Sequence, residues 1–166
     1  MKLFRLIPLL LLTLTINAHA KDSNYSSAYT SLKECKVIES SANDPKAEID
    51  YFSEECPGKA NYRIFHEGGD SRSWIVIKKG NSVVINLQNE VMQNAPGNNF
   101  RNVSGKVAEW RYKGSTPIAF IFRIAGNEEK SKLFVVRLGT KKACVIGVTT
   151  SNVEARKIAD SQKMCP

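Results

Sequence analysis

The chain has 166 residues, with 24 Lys and Arg against 16 Asp and Glu, two histidines and four cysteines. Its formal charge of +8 suits an acidic partner, such as an anionic envelope component (a glycan or lipid headgroups) or an acidic protein, and equally a soluble protein with ordinary surface lysines. The length suits one domain around one core. So few histidines argue against a histidine-rich metal centre, and an even cysteine count argues for disulfides over free thiols.

Met1–Ala20 begins with Lys2 and Arg5, continues through an apolar run containing Leu6, Ile7 and Leu9–Leu12, and ends in Ala18-His19-Ala20. That is the layout of a Sec-type signal peptide with a small-x-small cleavage site, so residues 1–20 are expected to be removed. The mature chain is then periplasmic or secreted. No later run reaches the roughly 18 apolar residues of a membrane span, so no transmembrane segment is expected after cleavage. Cleavage leaves His66 as the one histidine. Residues 21–28 are polar and read as a frayed N-terminus, ahead of a single disulfide-stapled, β-rich domain over residues 29–166.

Short runs rich in Val, Ile, Phe, Tyr and Trp follow, separated by turn residues. The candidate strands are Cys35–Glu39, Glu48–Phe52, Asn61–Glu67, Ser73–Lys78, Ser82–Gln88, Lys106–Tyr112, Ile118–Ile124, Lys132–Leu138 and Ala143–Thr149. Lys79-Gly80-Asn81 and Gly139-Thr140 suggest hairpin turns. Gln88–Asn102, with five Asn and a Pro96-Gly97 pair, reads as a long surface loop. One helix closes the chain. Ser151 and Glu154 fit a capping box, and Ala155, Ile158, Ala159, Gln162 and Cys165 fall on one stripe. The expected fold is mainly β (α+β): a curved antiparallel sheet or barrel-like meander with one C-terminal helix and two disulfides.

Four cysteines allow three pairings. Cys165 on the inner stripe of the helix favours Cys144–Cys165, which would clamp the helix on the last strand and leave Cys35–Cys56. Alternation along the strands then suggests a register. Tyr112 opposite Ile118 sets Trp110 against Phe120 and Ala108 against Phe122. Phe122 opposite Phe134 sets Phe120 against Val136. The aromatics line one face, and Ile121, Leu133, Val135, Cys144 and Ile146 line the other, which the helix would cover.

The same register sets Arg111 and Arg137 on either side of Ala119, with Lys142 beside Arg137 and Glu109 one step along. Two arginines around a small residue leave room for an anion or an acidic partner. The structural alternative is that Glu109 and a helix acid, Glu154 or Asp160, pair with these arginines. Gly68-Gly69-Asp70-Ser71-Arg72 offers a second polar group, Asp70 and Arg72. Its structural alternative is a turn closed by its own ion pair, and the glycines lack the spacing of a phosphate loop.

Catalysis has little to work with. A Ser-His-Asp system would need His66 with Asp70, no G-x-S-x-G elbow is present, and alternation puts His66 on the face of Tyr62 and Ile64. Glu54 and Glu55, read as a solvated acidic turn, are adjacent and so are not a facing carboxylate pair. Neither a metal nor a cofactor is expected. No aromatic-and-basic stripe suggests nucleic acid. Asn24-Tyr25-Ser26 and Asn102-Val103-Ser104 are glycosylation sequons, relevant only in a eukaryotic secretory pathway.

Tyr29-Thr30-x-Leu32-x-x-Cys35, Cys56-Pro57-Gly58, Tyr62, Gly69-Asp70-x-Arg72, Glu109-Trp110-Arg111, Arg123, Ala143-Cys144, Ala155-Arg156 and Ala159-Asp160 follow one another in order. The ordered set resembles a family of small secreted or periplasmic proteobacterial proteins that carries no assigned activity. Lys59-Ala60-Asn61 departs from its pattern, in which glycine often precedes the tyrosine. The resemblance implies a Gram-negative source and export, and implies importance for Gly69-Asp70-x-Arg72 and Glu109-Trp110-Arg111. The expected function is therefore a non-enzymatic, monomeric binding module, such as an inhibitor or envelope-binding protein, using Asp70, Arg72, Glu109, Arg111, Arg137, Lys142 and the Gln88–Asn102 loop. The alternatives are a small hydrolase built on His66 and Asp70 and a secreted virulence or adhesion factor.

Overall fold

A computed structural model describes residues 24–94, 101–126, 131–139, 142–161 and 163–166. The expected signal peptide lies outside the described residues. Strands β1 (Tyr25–Ser31), β7 (Asn102–Lys113), β8 (Thr116–Ala125), β9 (Ser131–Leu138) and β10 (Ala143–Thr149) form one antiparallel sheet, in that order. Strands β2 (Lys36–Ser40), β3 (Tyr51–Lys59), β4 (Tyr62–Gly69), β5 (Arg72–Lys79) and β6 (Ser82–Asn86) form a second antiparallel sheet, also in that order. Helices α1 (Gln88–Asn94) and α2 (Asn152–Asp160) complete the described elements. The mainly β architecture, the C-terminal helix and both disulfides agree with the sequence. The strands are parted between two sheets, and no closed barrel forms.

Alternation explains the packing. Trp110, Phe120, Phe122 and Phe134 point from the first sheet toward the second and are fully buried. They meet Ile64, Ile75, Ile77 and Tyr62 in one core, with the Tyr62 and Trp110 rings 6.0 Å apart. The other face of the first sheet presents Ala119, Ile121, Leu133, Val135 and Ile146, and α2 covers it with Ala155 and Ala159. A helix sits this close because Gly147 faces it: a Cβ there would lie 2.9 Å from the Ile158 side chain. β8 and β9 are apolar on both faces because they have a layer on each side, which accounts for their near-continuous hydrophobic runs.

Cys35–Cys56 links the start of β2 to β3, and Cys144–Cys165 ties the segment after α2 to β10. No cysteine is free. No helix among the described residues is long and apolar enough to cross a membrane.

The register agrees with the sequence at Trp110–Phe120, Phe122–Phe134 and Phe120–Val136. It differs at both ends of β7. A bulge after Arg111 sets Tyr112 against Pro117, not Ile118. A larger one between Ser104 and Glu109 removes Ala108 from any pairing with Phe122. Ser104 pairs with Arg123 and Glu109 with Ile121, so β7 spends five steps where β8 spends two.

Three further expectations are corrected. Tyr25–Ala28, read as frayed, belong to β1, because a strand of serines and tyrosines gains order by pairing with β7. Gln88–Asn94, read as loop, form α1: the Asn86 side chain accepts a hydrogen bond from Gln88 N, and Leu87 and Val91 are fully buried. Residues 95–100 of that segment lie outside the described residues. Glu54 and Glu55, read as a turn, lie within β3.

Candidate functional site

The six candidate residues do not form one site. Asp70 and Ser71 have φ of 52° and 58°, the left-handed pair of a tight hairpin between β4 and β5. Arg72 Nη1 closes on Asp70 Oδ2 at 3.0 Å, in agreement with the turn alternative. His66 is not brought to Asp70. It points inward, with Nδ1 3.3 Å from Glu54 Oε2 and its ring edge-on to Phe52. Burial pushes the imidazole below its ordinary pKa, and the Glu54 carboxylate opposes that shift. Glu55, on the opposite face of β3, is held by Arg63 at 2.6 and 2.7 Å.

Of the other four candidates, Glu109 and Arg111 face α2, Arg137 faces the segment leaving it, and Lys142 lies beyond. Arg111 and Arg137 do flank Ala119. Arg111 is fully engaged: Nε and Nη2 donate to Asp160 at 2.9 and 2.6 Å, and Nη1 donates to Ser27 Oγ. Glu109 accepts from Arg156 Nε at 2.8 and 3.1 Å and from Ser27 Oγ. This is the structural alternative, with Asp160 as the helix acid. Glu154 instead faces Lys157 on the helix surface. Four charges from sheet and helix thus neutralise one another across the centre of the interface.

Arg137 differs from Arg111 although they stand symmetrically about Ala119. It is only 6% exposed, and its guanidinium donates to three carbonyls: Lys163 at 2.9 Å, Ile118 at 3.3 Å and Ser161 at 2.6 Å. These hold the chain leaving α2, where carbonyl dipoles favour a cation. No carboxylate among the described residues forms an ion pair with Arg137. Burial lowers its pKa, against Tyr25 and Asp160. A cavity of about 260 Å³ opens beside it, lined by Tyr25, Lys113, Ile118, Ser161 and Met164. The lining holds two cations, Arg137 and Lys113, and no acid. Lys142 lies apart from it, with Nζ donating to the Pro166 carbonyl.

A second cavity of about 280 Å³ lies toward the start of α2, under the large β7 bulge. Tyr29, Glu109, Arg123 and Arg156 line it, four residues from separate motifs of the ordered sequence set. Sequence reasoning had not made Arg123, Arg156 or Lys113 site residues. Arg123 and Arg156 stand in the ordered motif set without a site role, and Lys113 carries only its charge, which surface residues share. Asp70 and Arg72 line a third hollow with Tyr51, Trp74 and Met92.

No family model, curated protein or solved structure matches this chain. Among the described residues, no group of three or more His, Cys, Asp or Glu could hold a metal ion.

Proposed function

We propose that this is an exported, non-enzymatic binding protein that engages an acidic protein partner at the Arg137 end of α2. Signal-peptide export to the periplasm or beyond, from a Gram-negative cell, is part of this reading. Two disulfides fit an oxidising compartment. The observation that carries the proposal is the buried Arg137 guanidinium, without a carboxylate and facing a cavity shared with Lys113. A buried cation is costly unless paired, and its donors still have capacity for an incoming carboxylate. A cavity of this size takes a single acidic side chain of its partner. Against catalysis, every cysteine is bridged and His66 is turned inward to Glu54.

Lys113 makes the cleaner test, because it is exposed and, among the described residues, its ammonium makes no hydrogen bond or ion pair. A fluorescent glutamate-rich peptide, followed by polarisation, is expected to bind the oxidised mature domain in a salt-sensitive manner. Lys113→Glu should weaken it about tenfold without moving Tm. Binding that is indifferent to both salt and Lys113→Glu rejects the reading. Pull-down from envelope extracts with wild type and Lys113→Glu side by side would then name the natural partner.

A further inference from the structure

The bulge in β7 has a consequence on the helix-covered face of the first sheet. Between Ser104 and Glu109 the strand carries three more residues than β8 opposite, and Gly105 takes φ of 93° to allow it. β7 stays paired with β1 through this stretch, Ser31 with Val107 and Thr30 with Ala108. The arch therefore parts from β8 while remaining anchored on its other side. The cavity of about 280 Å³ lies at that parting. Large bulges recur beside binding sites because they re-aim side chains and open a ladder.

The lining combines two chemistries. Ile121 and Leu133, both buried, give it apolar walls. Arg123 supplies charge: Nη1 donates to Ser131 Oγ at 2.8 Å and Nη2 reaches Asn152 Oδ1 at 3.5 Å. Both partners are neutral, and among the described residues no carboxylate pairs with Arg123. Among the described residues the Lys106 ammonium, on the arch, makes no hydrogen bond or ion pair either. The one acid in the lining, Glu109, is already neutralised by Arg156, which also donates to Tyr29 Oη at 3.0 Å. An entering group meets net positive charge above an apolar wall. The volume corresponds to roughly nine waters, enough for one amino-acid-sized group.

We propose that this cavity is a second binding site, independent of the one at Arg137, that takes a compact carboxylate with an apolar substituent. A chain-terminal carboxylate next to an aliphatic side chain has that form. Arg123 receives the carboxylate, Lys106 adds long-range attraction, and Ile121 and Leu133 contact the aliphatic part.

The test is an ¹⁵N–¹H titration of the oxidised mature domain with N-acetyl-leucine, and with N-acetyl-leucinamide as its uncharged counterpart. The acid is expected to give saturable shifts at Val107, Arg123 and Asn152, with Kd on the order of 1 mM. The amide should give none. Arg123→Gln should remove the response and Arg123→Lys keep part of it, while Lys113→Glu leaves it unchanged. Unaltered Arg123→Gln spectra away from the cavity show that the variant is folded. Equal binding of acid and amide, survival of the response in folded Arg123→Gln, absence of saturable shifts in wild type, or shifts centred on Arg137 would each overturn the proposal. Loss of the peptide response at Lys113 bears only on the other site.

Discussion

Arg111 Nη2 lies 2.6 Å from Asp160 Oδ2, and this contact joins the centre of the first sheet to the last turn of α2. An acid in a final helical turn opposes the helix dipole, so Asp160 owes its place to Arg111 and not to helix propensity. The pair is largely removed from water, with side chains 10% and 25% exposed. Removing one partner leaves a desolvated charge behind.

Asp160→Asn should therefore destabilise the fold by about 2–4 kcal/mol in urea denaturation, below the upper end for buried pairs because Asp160 keeps some solvent contact. Replacing Arg111 by Met and Asp160 by Leu together should recover most of that loss. A double variant as unstable as Asp160→Asn would mean that the charges, and not their mismatch, hold the helix.

Cys144 and Cys165 are 21 residues apart, so their bond closes a loop worth about 3 kcal/mol by chain entropy. Replacing both by Ala should cost about that much globally. Hydrogen exchange should quicken first in α2 and β10, while β4 and β5 stay protected. Uniform loss of protection would contradict α2 being clamped locally.

The His66 imidazole is held below its ordinary pKa of 6.5, first by burial, with Glu54 opposing. The unfolded chain then binds a proton that the folded chain resists, so stability rises with pH across that interval. The contribution is complete above about 6.5 and is lost as pH falls toward the folded value. Glu67, raised above its ordinary 4.5 by burial, works with the opposite sign from about 4.5 upward to its folded value. Stability measured from pH 7 down to 5 should decline in wild type, and His66→Gln should flatten the decline. An equal slope in both would assign the acid sensitivity elsewhere.

Much of the architecture was legible in the sequence, and the reason differs by element. Trp110–Phe120 and Phe120–Val136 could be read because period-2 alternation and a short turn leave little choice of register. The Cys144–Cys165 pairing was read correctly from a helical stripe that does not in fact reach Cys165: α2 ends at Asp160, and the extended segment after it carries Cys165 to β10. The frayed reading of Tyr25–Ala28 failed because β1 is polar and derives its order from a partner strand some 80 residues away, as in the 2.6 Å hydrogen bond from Trp110 Nε1 to Thr30 Oγ1. The helix at Gln88–Asn94 was hidden because asparagines that signal turns also lead chains into helices, as the Asn86 side chain does here by accepting from Gln88 N.

The sites followed the same division. Composition and alternation alone determined a basic, cysteine-paired β domain with a terminal helix, and they determined that Arg111 and Arg137 would flank Ala119. These are properties of neighbouring residues and repeat periods. Only the tertiary structure decided that Arg111 meets Asp160 while Arg137 meets carbonyls, and that β7 arches away from β8 to open a cavity over Arg123. Those outcomes depend on the axial position of α2 over the sheet and on three extra residues in one strand. Neither has a local signature, because each is settled by which distant groups must be packed or neutralised when the layers close.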